Sequence, residues 1–97
     1  MADITISKQV RAMQLGFDNT TTGGKVADLG GVEQVQFRTS ADCYIDFDQP
    51  CSASQSYQIL AADTSPTVVQ LTSGLINKVY ALGKSGSGTL FILAIMG

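Results

Sequence analysis

Residues 35–47 constrain the fold more than any other stretch. Val35, Phe37, Thr39, Ala41, Cys43, Ile45 and Phe47 fill the odd positions, and every even position except Tyr44 is polar or charged. Side chains on a strand alternate between its faces, so this period of two gives one row to a core and the other to water. As a helix, the same residues would scatter round the whole circumference. The run exceeds an ordinary strand, so it is expected to turn at Ser40, Ala41 and Asp42 and return as a hairpin. A three-residue loop pairs Thr39 with Cys43 and keeps the odd row inward. A two-residue loop would turn Cys43, Ile45 and Phe47 to solvent. Asp42 tolerates the left-handed backbone that such a loop often needs at its end.

The rest of the chain repeats this theme in shorter pieces. Residues 25–29 read as a strand, with Gly30 and Gly31 turning into the hairpin. Leu29 and Val32 are out of phase with Val35, which calls for a longer loop or a bulge near Glu33 and Gln34. Residues 57–61, 67–71, 75–82 and 89–96 read as further strands, and residues 83–88 as a flexible hairpin loop. The last strand is apolar on both faces, with Phe91, Leu93 and Ile95 on one and Leu90, Ile92 and Met96 on the other. Phe91 and Leu93 of the first set, with Val69, Leu71 and Val79, are expected to face the inward row of residues 35–47. The second set then needs cover from a loop, the N-terminus or another subunit. Seven or eight short strands, with turn signals every 8–12 residues or so, predict an all-β antiparallel β-sandwich, jelly-roll-like. At 97 residues the chain makes one domain, assigned to residues 18–97, with a radius of gyration of about 13 Å.

Residues 1–17 stand apart as an N-terminal arm or a first strand. Ile4 and Ile6 are in even phase, whereas Met13, Leu15 and Phe17 are in odd phase. That change reads as two extended pieces with a bulge near residues 8–11, and a helix over residues 7–15 is the competing reading. If this segment is an arm, Ile4, Ile6, Val10 and Met13 can anchor it on a neighbour. With Tyr44, Leu90, Ile92 and Met96 they form the candidate interface.

Composition narrows the chemistry. Only 14% of residues are charged, and the net charge of -2 with six Lys and Arg gives no basic stripe for nucleic acid. The start lacks the basic and apolar regions of a signal peptide, and the longest apolar run, residues 90–96, is too short to span a bilayer. Synthesis in a cytoplasm is therefore expected, with Cys43 and Cys51 reduced rather than paired. The chain has no His, which removes zinc sites and Ser-His or Cys-His nucleophile systems. Residues 83–88 are Gly-rich but lack phosphate-loop spacing. No enzyme activity, cofactor or metal is expected. Asp42, Asp46 and Asp48, with Glu33, would be the ligands of a calcium ion, but the same carboxylates suit a solvated face that blunts edge pairing. Tyr44 and Tyr57 are the available aromatic platforms for a sugar.

Several stretches carry a resemblance. They are Phe37-Arg38-Thr39-Ser40-Ala41-Asp42-Cys43-Tyr44-Ile45-Asp46-Phe47, then Pro50, Ile59-Leu60-Ala61-Ala62, Val79-Tyr80-Ala81-Leu82 and Ser87-Gly88-Thr89-Leu90-Phe91-Ile92-Leu93. Together they resemble small all-β virion structural proteins of tailed bacteriophages, over about residues 32–96. The resemblance implies a capsid decoration or cement protein, synthesised and assembled in the host cytoplasm and carried on the virion surface. Its implied partners are the major capsid protein and copies of itself, as a trimer, with no nucleic acid and no membrane. The alternative is a receptor- or carbohydrate-binding β-sandwich module of a phage tail or fibre.

Overall fold

The computed structural model describes residues 10–52 and 54–95. Eight strands run in chain order: β1 Val10–Phe17, β2 Lys25–Val32, β3 Gln34–Thr39, β4 Cys43–Phe47, β5 Tyr57–Ile59, β6 Thr67–Gln70, β7 Ile76–Gly83 and β8 Gly88–Ile95. They form two antiparallel sheets, sheet A in the order β1-β8-β3-β6 and sheet B in the order β2-β7-β4-β5. The pairings nest, β1 with β8, β2 with β7, β3 with β6 and β4 with β5. A nested ribbon wrapped round one core is a jelly-roll sandwich, the class the strand spacing predicts. Its radius of gyration is 13.4 Å. Residues 10–17 are strand, not helix. Ile4, Ile6 and Met96 lie outside the described residues, as do residues 1–9 of the N-terminal segment, whereas residues 10–17 are the first strand of sheet A.

The pairing of residues 35–47 corrects the sequence reading. β3 pairs with β6 and β8, while β4 pairs with β5 and β7, so these strands face each other across the core and form no hairpin. The turn and the parity are nevertheless as predicted. Val35, Phe37, Thr39, Cys43 and Ile45 are buried. Thr39 Oγ1 holds the turn by donating to the Ala41 carbonyl (2.6 Å), and it accepts from the Cys43 thiol (3.7 Å). A period of two selects the inward row, but both sheets offer their inner face to one core, so it does not select the partner. β4 and β5 are the one consecutive pair that share a sheet; every other connection crosses between sheets. Residues 83–88 are therefore also a crossover. Gly30 and Gly31 lie inside β2, at φ 71° and 84°, where the register with β7 shifts between Asp28 and Val32. Their freedom at positive φ makes a bulge there, and the chain changes sheet at Glu33.

The phase of β8 is the second correction. Leu90, Ile92 and Ala94 are buried, and Phe91 is 43% exposed. Directly opposed residues of an antiparallel pair share a face. Val35 opposes Ala94, Phe37 opposes Ile92 and Thr39 opposes Leu90. The inward row of β3 therefore pulls Leu90, Ile92 and Ala94 inward with it. Val79 is fully buried and Val69 and Leu71 pack against the core, as expected, whereas Phe91 and Leu93 do not face it.

Candidate interaction surface

The same registers define the outer row of sheet A. It consists of Val10, Ala12 and Gln14 on β1, Phe91, Leu93 and Ile95 on β8, Gln34, Gln36 and Arg38 on β3, and Val68 and Gln70 on β6. The centre of this face is apolar, and its polar side chains are mostly neutral amides. Arg38 is the single charged residue in these rows. Val68 is 51% exposed and Val10 39%, while Leu93 and Ile95 are half-buried. Gln14, Gln36, Arg38, Pro66, Phe91 and Leu93 border a groove of about 380 Å³. Contiguous apolar surface with a thin polar border is the usual character of a protein-binding patch.

The outer side of sheet B is different. Val26, Asp28, Lys78, Tyr80, Leu82, Tyr44, Asp46 and Gln58 make its outer row. The connection after β4 folds back onto it. Asp48, at φ 58°, starts the reversal: its N–H donates to the Lys78 carbonyl (3.0 Å), and its carboxylate accepts from the Lys78 N–H (2.9 Å). Asp46 then accepts from its neighbour Phe47 N–H (2.9 Å), from Gln49 Nε2 (3.0 Å) and from Ser56 Oγ (2.9 Å). Cys51 N–H donates to the Gly23 carbonyl (2.8 Å), and its thiol points at the carbonyls of Tyr80 (3.2 Å) and Tyr44 (3.5 Å). Burial, foremost, pushes the Cys51 thiol up to about 11. The Cys43 thiol is raised for the same reason. Both cysteines are free.

The residues singled out in the sequence do not assemble into one interface. Val10 and Met13 are on opposite faces of β1, Val10 exposed and Met13 half-buried against the core. Tyr44 is half-buried on the far sheet. Leu90 and Ile92 are core residues and cannot meet a partner, because the β3 register turns them inward. The aspartates are separated by role: Asp42 accepts from the Ala61 N–H (2.9 Å), while Asp46 and Asp48 anchor the β4–β5 connection. Among the described residues no three acidic or sulfur ligands converge on a metal position. Tyr57 is 61% exposed but lies opposite Ile45, on the row away from Tyr44, so the two rings do not share a platform. Sequence reasoning missed Phe91, Leu93, Ile95 and Val68 as surface. The one signal that could have found them is the polar Gln34, Gln36, Arg38 row, once β3 is set beside β8.

No protein-family model, curated protein or solved structure matches this chain.

Proposed function

We propose that the chain is a structural virion protein of the capsid decoration or cement type, bound through the outer face of sheet A to the outside of an icosahedral phage shell. Each copy bridges neighbouring subunits of the major capsid protein and raises the free energy needed to part them. The observation that carries this reading is the apolar stripe of exposed Phe91 and half-buried Leu93 and Ile95 along the middle of sheet A, with exposed Val68 beyond the Gln34, Gln36 and Arg38 row. The scarcity of charge supports it as well, because 14% charged residues leave a surface suited to burial against protein.

Cryo-electron microscopy of the particle that carries the chain tests the reading. Hundreds of copies on the shell, each seated on Phe91 and Leu93, are the expected result. A few to a dozen copies on a tail or fibre would overturn it in favour of a receptor- or carbohydrate-binding module.

A further inference from the structure

The outer row of sheet A holds one charge, and among the described residues no carboxylate pairs with it. The registers set Gln14, Phe91 and Arg38 side by side across β1, β8 and β3, with Ala12, Leu93 and Gln36 as the next row. Neighbouring strands lie about 4.8 Å apart, so an amide and a guanidinium flank the Phe91 ring within reach of one bound residue. Arg38 is exposed, and its Nη2 reaches the Asp63 carbonyl at 3.5 Å, the outer limit of a hydrogen bond. The Asp63 carboxylate is turned instead to the Leu60 N–H (3.4 Å). Negative charge gathers on the other side of the sandwich, with Asp28 and Asp46 on the outer row of sheet B and Asp48 on the connection over it.

We propose that the groove bordered by these residues takes an acidic segment of the shell subunit, an apolar side chain lying on Phe91 and Leu93 and an Asp or Glu carboxylate on the Arg38 fork. This rests on the reading that sheet A seats on the shell, and it adds the chemistry of what is seated there. Charge complementarity decides it. A neutral partner covering Phe91 and Leu93 would strip water from the guanidinium beside them and leave it unpaired. A basic partner would be repelled by Arg38 and drawn to the acidic side of the molecule instead. A carboxylate accepts two parallel hydrogen bonds from the planar guanidinium and leaves no charge uncompensated. Gln14 and Gln36 each offer donors and an acceptor, which suit the main chain of an extended segment. A phosphate also fits the fork, but a nucleic acid would bring a row of phosphates to a face with one cation, on a chain of net charge -2.

Titration of the full chain onto particles assembled without it tests this. Arg38→Gln should weaken binding about 10-fold, and Arg38→Glu, which sets carboxylate against carboxylate, about 100-fold or more. Arg38→Lys keeps the charge without the fork and should fall between wild type and Arg38→Gln. The side chain is exposed with one long contact, so all three should keep wild-type circular dichroism and melting temperature. Lys78→Glu makes the same charge change on an exposed position of sheet B and should bind like wild type. In the density of the decorated particle, the group on Arg38 should be an Asp or Glu side chain. Arg38 variants that bind like wild type while Phe91→Ser binds less would overturn this inference and leave the shell reading standing. Equal losses in Lys78→Glu and Arg38→Glu, or a neutral group, phosphate or sugar on Arg38, would overturn it too. A wild type that does not bind the particle at all would overturn both.

Discussion

On sheet B the connection that follows β4 folds over the middle of the outer side, where Tyr44, Asp46, Tyr80 and Leu82 are half-buried while Val26, Asp28, Lys78 and Gln58 stay exposed, whereas the outer side of sheet A carries less of such cover among the described residues. The cover on sheet B is polar in its fastenings. Asp46 and Asp48 collect backbone and side-chain donors, Cys51 fills the space over Tyr44 and Tyr80, and Pro50 lies against Gly23. A loop can be held on a sheet in this way because its own N–H and C=O groups need partners that the carboxylates and strand ends supply. Sheet A has one such fastening among the described residues, Arg38 donating to the Asp63 carbonyl of the β5–β6 connection (3.5 Å), and the rest of its outer row is mostly amides and hydrocarbon. What it offers is area, which stabilises contact only with another apolar surface. The chain itself thus covers the middle of one side of the sandwich with a polar loop, and leaves the apolar middle of the other partly open to water.

The core between the sheets sets the scale for testing this contrast. Phe37 is 1% exposed and its ring sits 5.8 Å from that of Phe47, centroid to centroid. Phe37→Ala should lower unfolding free energy by about 3–5 kcal/mol in urea titration. A loss below about 1 kcal/mol would mean the inner faces are not the packed side of the molecule.

The fastenings of the cover come next in size. Asp46→Ala leaves Gln49 and Ser56 without their acceptor and should cost about 1–2 kcal/mol, since the group is only half-buried. It should also speed labelling of Cys51 by a thiol reagent relative to wild type. Unchanged labelling would show that the loop holds without Asp46.

A pH titration addresses the same cover more gently. The Cys51 thiol has an ordinary value of 9.0 and is raised to about 11 in the fold, mainly by burial. A raised acid keeps its proton in the folded chain while the unfolded chain loses it. Its stabilisation is therefore complete below pH 9 and is lost as pH rises toward 11. Wild-type stability should fall more steeply across that window than that of Cys51→Ala, in which Cys43 still titrates. Equal slopes would mean that Cys51 is as open to water as sheet A.

How much of this was legible in the sequence follows the range of the interactions. The inward row of β3 and β4 and the turn at residues 40–42 depend on neighbours a few positions apart, and both were readable. The partners of those strands were not: Val10 opposes Ile95 and Val26 opposes Tyr80, and nothing local in either strand names the other. The phase of β8 was hidden for a different reason. Leu90 to Ile95 is hydrophobic at every position, so its own sequence fits either orientation, and only the register against β3 decides. That error placed Leu90 and Ile92 on the candidate interface and Phe91 in the core. The aspartates were visible as a group, but a carboxylate that solvates a face and one that pins a loop look alike until the loop is folded.

The smallest stability effect belongs to the bare face, and it is the sharpest test of the contrast. Phe91 is aromatic and sits in the middle of sheet A, yet nearly half of it is exposed. On a surface finished by the chain itself, replacing such a residue would open a cavity and cost several kcal/mol. On a face left for association, Phe91→Ser removes only the contacts that its covered half makes with the neighbouring strands. Its unfolding free energy should fall by about 1 kcal/mol, well short of the loss expected for Phe37→Ala. The loss should appear instead in binding, as lower occupancy on the particle at equal protein concentration. A variant that unfolds as readily as Phe37→Ala would show that another part of the chain covers Phe91, and the two sheets would then no longer differ.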